Sequence, residues 1–114
     1  MRGASRASFI MAREQLTATL EGRADPAVLG EELFAVTHLL DREPAVRRAL
    51  TDATSPTAAR SGLARRLLDG RVSAPTVDLI SGMTDTRWSS PRDLADAAEA
   101  VSYTHLTLPT TPYV

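Results

Sequence analysis

Five of the chain's seven prolines, Pro26, Pro44, Pro56, Pro75 and Pro91, each stand at the head of a stretch with helical periodicity. Proline has no backbone N–H and a fixed φ. Both suit the first turn of a helix, and neither suits its interior. These positions therefore cut the chain into short helices that must pack on one another. The neighbours agree. Asp25, Ser55 and Ser90 directly precede a proline, and Ser73 stands one residue further back, each offering a side-chain oxygen to exposed backbone N–H groups. Five internal starts and an N-terminal helix predict an all-α, six-helix bundle with short connections.

The apolar spacing supports each helix in turn. The first, from about Ser5 to Leu20, carries Phe9, Ala12, Leu16 and Leu20, with Gly22 expected as a left-handed cap. The second carries Leu29, Leu33, Val36 and Leu40, and the short third Val46, Ala49 and Leu50. In the fourth, Ala59, Leu63 and Leu67 share a stripe that stops at Gly70. The fifth offers Val77, Ile80 and Met83 with Leu79 beside them, and the sixth shows Leu94 with Ala97 or Ala98.

With 114 residues the chain has the size of one domain and a modest core. Its net charge of −1 argues against nucleic-acid binding, which draws on a basic excess. All 13 basic residues are arginine, a pattern that fits GC-rich coding. The absence of cysteine removes disulfides, thiolate metal sites and a cysteine nucleophile, and fits a reducing compartment. No apolar run approaches the roughly 20 residues that span a bilayer. At the N-terminus, Arg13 and Glu14 interrupt the apolar patch too early for a signal peptide. A soluble cytoplasmic protein with no direct membrane insertion is expected.

Little here carries chemistry. His38 is the one histidine before residue 100, and no partner in the sequence positions it as a base. The acidic residues around helices two and six lack the histidine company of a metal site. No catalytic residue, cofactor or metal is expected. The pairs Arg47–Arg48 and Arg65–Arg66 suit a solvated face with ion pairs, and the alternative is a helix-turn-helix regulator using them on phosphates. Trp88 is either a plug under a loop or an exposed anchor. Helices one and five carry more apolar residues than one core face needs: Phe9, Ile10 and Met11 on one, Val77, Leu79, Ile80 and Met83 on the other. That surplus either lines a groove for a partner helix or is buried on two sides.

Composition changes after Ala100. Residues 101–114 hold both tyrosines, no acidic or arginine side chain, and mostly threonine, proline and apolar residues. Val101 to Thr110 resembles the translation of a transposase-type sequencing adapter. Residues 101–114 are therefore expected to be a non-native, unstructured or extended tail, and residues 1–100 the domain proper.

The stretches GASRASFIMAREQL, ELFAVTHLLDREPAVRRALTD, AARSGLARRLLDGRVSAPTVDLISGM and TRWSSPRDLADA, in that order, resemble the N-terminal domain of the δ subunit of bacterial F-type ATP synthase. This family is related to the mitochondrial oligomycin-sensitivity-conferring protein. The resemblance covers residues 3–99 and implies a six-helix bundle without catalytic residues. It implies a stator role in proton-driven ATP synthesis, peripheral to the inner face of the plasma membrane. The bundle would bind the N-terminus of the ATP synthase α subunit through helices one and five, carried here onto Phe9, Ala12, Val77, Ile80 and Met83. The b subunits would be bound only by the full-length protein, through a second domain that the tail replaces here.

Overall fold

The computed structural model describes residues 3–22 and 25–107, with side chains as far as Ser102. Six helices account for nearly all of them: α1 (Gly3–Glu21), α2 (Pro26–Arg42), α3 (Pro44–Thr51), α4 (Thr57–Leu68), α5 (Ala74–Thr84) and α6 (Pro91–Thr107). No strand occurs among the described residues. The most extensive contact is between α2 and α6, while α5 lies between α1 and α4.

The core follows from the apolar stripes. Leu29, Leu33, Val36 and Leu40 of α2 and Leu94, Ala97, Ala98 and Val101 of α6 are all at most 3% exposed, and the two helices pack on each other. Small alanines let the two backbones approach closely, and each buried leucine contributes about 2 kcal/mol by leaving water. Leu16, Val77, Leu79, Ile80 and Met83 join the same cluster. Seven of the eleven residues of α5 are buried, Val77, Leu79, Ile80 and Met83 among them, so its apolar surplus is explained by burial on two sides.

Helix starts divide into those the proline rule describes and those it does not. Asp25 caps α2, its carboxylate accepting from the Ala27 N–H at 2.9 Å, and Ser90 does the same for α6 through the Asp93 N–H at 3.3 Å. Pro56 is itself the N-cap residue of α4, one place earlier than expected, and neither it nor Glu43 before α3 provides a side-chain cap. Ser73 is the N-cap residue of α5, yet its hydroxyl donates to Glu32 of α2 at 2.6 Å instead of capping. The Glu32 carboxylate takes over that role, accepting from the Ser73 N–H at 2.8 Å and the Thr76 hydroxyl at 2.6 Å.

Helix ends differ likewise. Gly70 has φ +78°, the left-handed conformation that stops α4 as its position suggests. Gly22 is not left-handed. Its N–H bonds to the Thr19 carbonyl at 3.2 Å and tightens the last turn of α1. At the end of α2 the Arg47 guanidinium reaches back from α3 to the carbonyls of Leu40 and Asp41, at 2.6 and 2.8 Å. Those carbonyls otherwise lack partners within the helix.

Two expectations about faces need correction. In α4 the buried residues are Arg60, Ala64 and Leu68; Leu63 and Leu67 are half-buried and Ala59 is exposed. Arg60 turns inward because its guanidinium donates to three carbonyls, of Thr84 (3.0 Å), Asp52 (3.1 Å) and Ser55 (2.8 Å). In α3, Ala49 is exposed and the core contact falls to Leu50 and Val46.

The change of composition after Ala100 does not end α6. The helix continues to Thr107, with Val101 and Ser102 both fully buried. Ser102 and Thr37 of α2 lie hydroxyl to hydroxyl at 3.4 Å, each also donating to the carbonyl four residues back in its own helix. Residues 108–114, the rest of the expected tail, lie outside the described residues.

Candidate docking surface

The outer face of α1 is the place where this bundle leaves large apolar side chains uncovered in succession. Ile10 is 48% exposed and Met11 54%, with Phe9 half-buried beside them. The reason lies on the opposite face of the helix, where Ser5, Ser8, Ala12 and Leu16 are buried. Ser8 donates to the Arg87 carbonyl, and the Ser89 N–H donates to the Ser5 hydroxyl. Further along, the Gln15 amide donates to the Asp78 carbonyl at 3.2 Å. Helix α1 therefore runs antiparallel to α5, with its serines pinned under the α5–α6 connection. Helical geometry then turns Ile10 away from the core.

The five residues expected to form the docking groove are separated by this packing. Ala12, Val77, Ile80 and Met83 are between 1% and 3% exposed and hold α1, α4 and α5 together from inside. Phe9 alone of the five reaches the surface. It lines a groove of about 430 Å³ with Arg6, Ile10, Arg13 and Ala100, between α1 and α6. The Arg13 guanidinium lies over the Phe9 ring, 5.8 Å from its centroid. Neither Arg6 nor Arg13 makes an ion pair among the described residues. Sequence reasoning did not single out these two arginines, although their seven-residue spacing places them along one side of α1.

The other candidate features have structural explanations. Trp88 is a plug, 5% exposed, its indole N–H donating to the Met83 carbonyl at 2.7 Å. His38 is exposed on α2 and bonds to no carboxylate among the described residues, so it lacks the partner a general base needs. The four paired arginines share no single binding face: Arg47 is folded onto the end of α2, and Arg65 pairs with Asp78 at 3.0 Å. Two of the four arginines of the helix-turn-helix alternative are thus already engaged within the bundle. A second cleft, between the α3–α4 loop and the end of α5, surrounds Arg60, whose hydrogen bonds go to backbone carbonyls. Among the described residues no group of acidic or histidine side chains could hold a metal ion, and no helix is long and apolar enough to cross a membrane.

No family model matches the chain. Individual proteins do. It is 46% identical over 105 residues to the ATP synthase subunit delta of Streptomyces griseus, which covers 91% of this chain and 39% of that protein. To the subunit of the same name in Streptomyces coelicolor it is 46% identical over 103 residues, 90% of this chain and 38% of that one. The chain belongs to the ATP synthase δ-subunit family. A more distant genus agrees: the Nocardioides subunit delta is 41% identical over 99 residues, 87% of this chain and 36% of the relative. The chain thus spans less than two fifths of the length of these δ subunits, and the matched part is the N-terminal helical domain. In this δ-family domain the six helices and the exposed ridge Phe9–Ile10–Met11 coincide on one small bundle.

Proposed function

We propose that this domain is the head-binding part of a stator subunit. It docks the N-terminal segment of the ATP synthase α subunit on the catalytic head and takes no part in catalysis. The observation that carries this reading is the exposed apolar ridge of α1, Phe9, Ile10 and Met11, on a domain of the δ-subunit family. A soluble helical surface of this kind suits an amphipathic partner helix. Phe9 makes direct contact, while Ala12, Val77, Ile80 and Met83 act from behind by fixing α1 against α5. Attachment to the b subunits of the stalk belongs to the full-length protein. The complex so formed lies at the inner face of the plasma membrane, with this subunit peripheral to it.

Calorimetric titration with a synthetic peptide of the α-subunit N-terminus tests the reading. Calorimetry is preferable to intrinsic fluorescence because Trp88 is only 5% exposed. Saturable binding of the α peptide, with none of a b-subunit peptide, is the expected result. Absence of α-peptide binding to the folded domain would sink it. We also propose that residues 101–114 are foreign to the gene, as their likeness to an adapter suggests. Resequencing the source locus past codon 100 supports this if a different coding sequence continues there, and overturns it if the same codons recur.

A further inference from the structure

We propose that Met11 is a reversible oxidation site: hydrogen peroxide converts its thioether to the sulfoxide on the free subunit, and the sulfoxide weakens docking of the partner helix. The site itself stands on the exposure of the sulfur, while its consequence rests on the stator reading.

Sulfur is scarce in this chain. It holds three methionines and no cysteine, so no thiol competes for a two-electron oxidant. Among the described residues, Met83 is 1% exposed within the core and Met11 is 54% exposed. A helical side chain leans over the turn that precedes it. For Met11 that turn presents Ala7, itself exposed and too small to shield a thioether. Glu14, one turn further on, is exposed as well. A small oxidant therefore reaches the Met11 sulfur without any opening of the fold, whereas it reaches Met83 only when α5 leaves the core.

The step balances with peroxide as its sole co-reactant. A sulfur lone pair attacks one peroxide oxygen, and the O–O bond breaks as the S–O bond forms. The departing hydroxide takes the proton of the transferred hydroxyl and leaves as water. Sulfur is oxidised by two electrons and the peroxide is reduced. A polar S–O group then stands beside Phe9 and Ile10 in place of a flexible apolar chain. A helix covering the ridge must strip water from that oxygen, which opposes docking. On the free chain the oxygen stays hydrated, so the fold is unaffected. A docked helix covers the sulfur, and sensitivity to the oxidant is confined to the unassembled subunit.

The test treats the full chain with dilute hydrogen peroxide, then maps its peptides by mass. One added oxygen on the Met11 peptide is expected, with Met83 unmodified and the circular-dichroism melt unchanged. Affinity for the α-subunit N-terminal peptide in calorimetry should fall about tenfold. A methionine sulfoxide reductase supplied with a dithiol should restore it, and Met11→Leu should bind alike before and after peroxide. Saturating α peptide should slow oxidation of Met11. Oxidation of Met83 as fast as Met11 in the folded chain would overturn the site. Unchanged affinity of the oxidised chain, or loss of affinity by peroxide-treated Met11→Leu, would overturn the consequence and leave the stator reading standing. No binding by the unoxidised chain would remove the stator reading and the consequence together, and the mass map would still decide the site.

Discussion

Glu32 and Ser73 lie 41 residues apart and make two hydrogen bonds, the serine N–H at 2.8 Å and its hydroxyl at 2.6 Å both donating to the carboxylate. A carboxylate on α2 thereby closes the N-terminus of α5, where negative charge is favoured by the helix dipole. Replacing Glu32 with alanine should cost about 2 kcal/mol and Glu32→Gln about 1 kcal/mol, because glutamine keeps one acceptor and loses the charge. Urea unfolding midpoints measure both.

The same carboxylate sets a pH dependence. Partial burial works to raise its pKa, but the hydrogen bonds from Ser73 and Thr76 together outweigh that and hold it below the ordinary value of 4.5. A depressed folded-state pKa means stability that is present above pH 4.5 and lost as pH falls through the lower folded value. The stability gap between wild type and Glu32→Ala should therefore be constant near neutrality and narrow below pH 4.5. A gap that widens on acidification would contradict the assignment.

Arg60 joins the α3–α4 loop to the end of α5 through three carbonyls while being only 8% exposed. Arg60→Met leaves those carbonyls without their donor and should destabilise by about 3 kcal/mol. Arg60→Lys keeps the charge but not the planar fork, and should recover about half of the loss. Thermal melts of the two variants rank them, and equal melts would show that charge without the planar fork recovers nothing.

Trp88, packed with its N–H on the Met83 carbonyl, should emit at short wavelength and resist quenching by iodide until the domain unfolds. Trp88→Phe removes that donor and should cost about 2 kcal/mol. Red-shifted, freely quenched emission from the folded protein would place the indole outside.

Ending the chain after Ala100 removes Val101 and Ser102, both fully buried against the bundle. The shortened form should lose about 2 kcal/mol, chiefly the burial of the valine. Urea midpoints of residues 1–100 and 1–114 make the comparison.

Helix number and helix starts were legible because proline acts locally, through its own φ and missing N–H, and so were the stripes of α2 and α6. The orientation of α4 was not. Arg60 looks like a solvent residue until Asp52, Ser55 and Thr84 bring three carbonyls around it. The cap of α5 was hidden for a similar reason, since its acceptor comes from another helix. Residues 101–107 have the composition of an extended tail, yet burial of Val101 and Ser102 on α2 favours continued helix over local preference. For the docking surface, the apolar surplus of α1 and α5 was visible, but periodicity could not say that α5 spends its share on two buried sides. Only the packing separates Phe9 and Ile10 from Ala12, Val77, Ile80 and Met83.

The two serines of α1 have a mechanical meaning. Ser8 holds the Arg87 carbonyl and Ser5 holds the Ser89 N–H, across separations of 79 and 84 residues. The N-terminal turns of α1 are in this way latched to the corner beside Trp88. A sideways load on α1 meets these two hydrogen bonds before the helix can peel away from its first turns. It must pass through that latch into α5 and α6 together, so the bundle resists shear as one body.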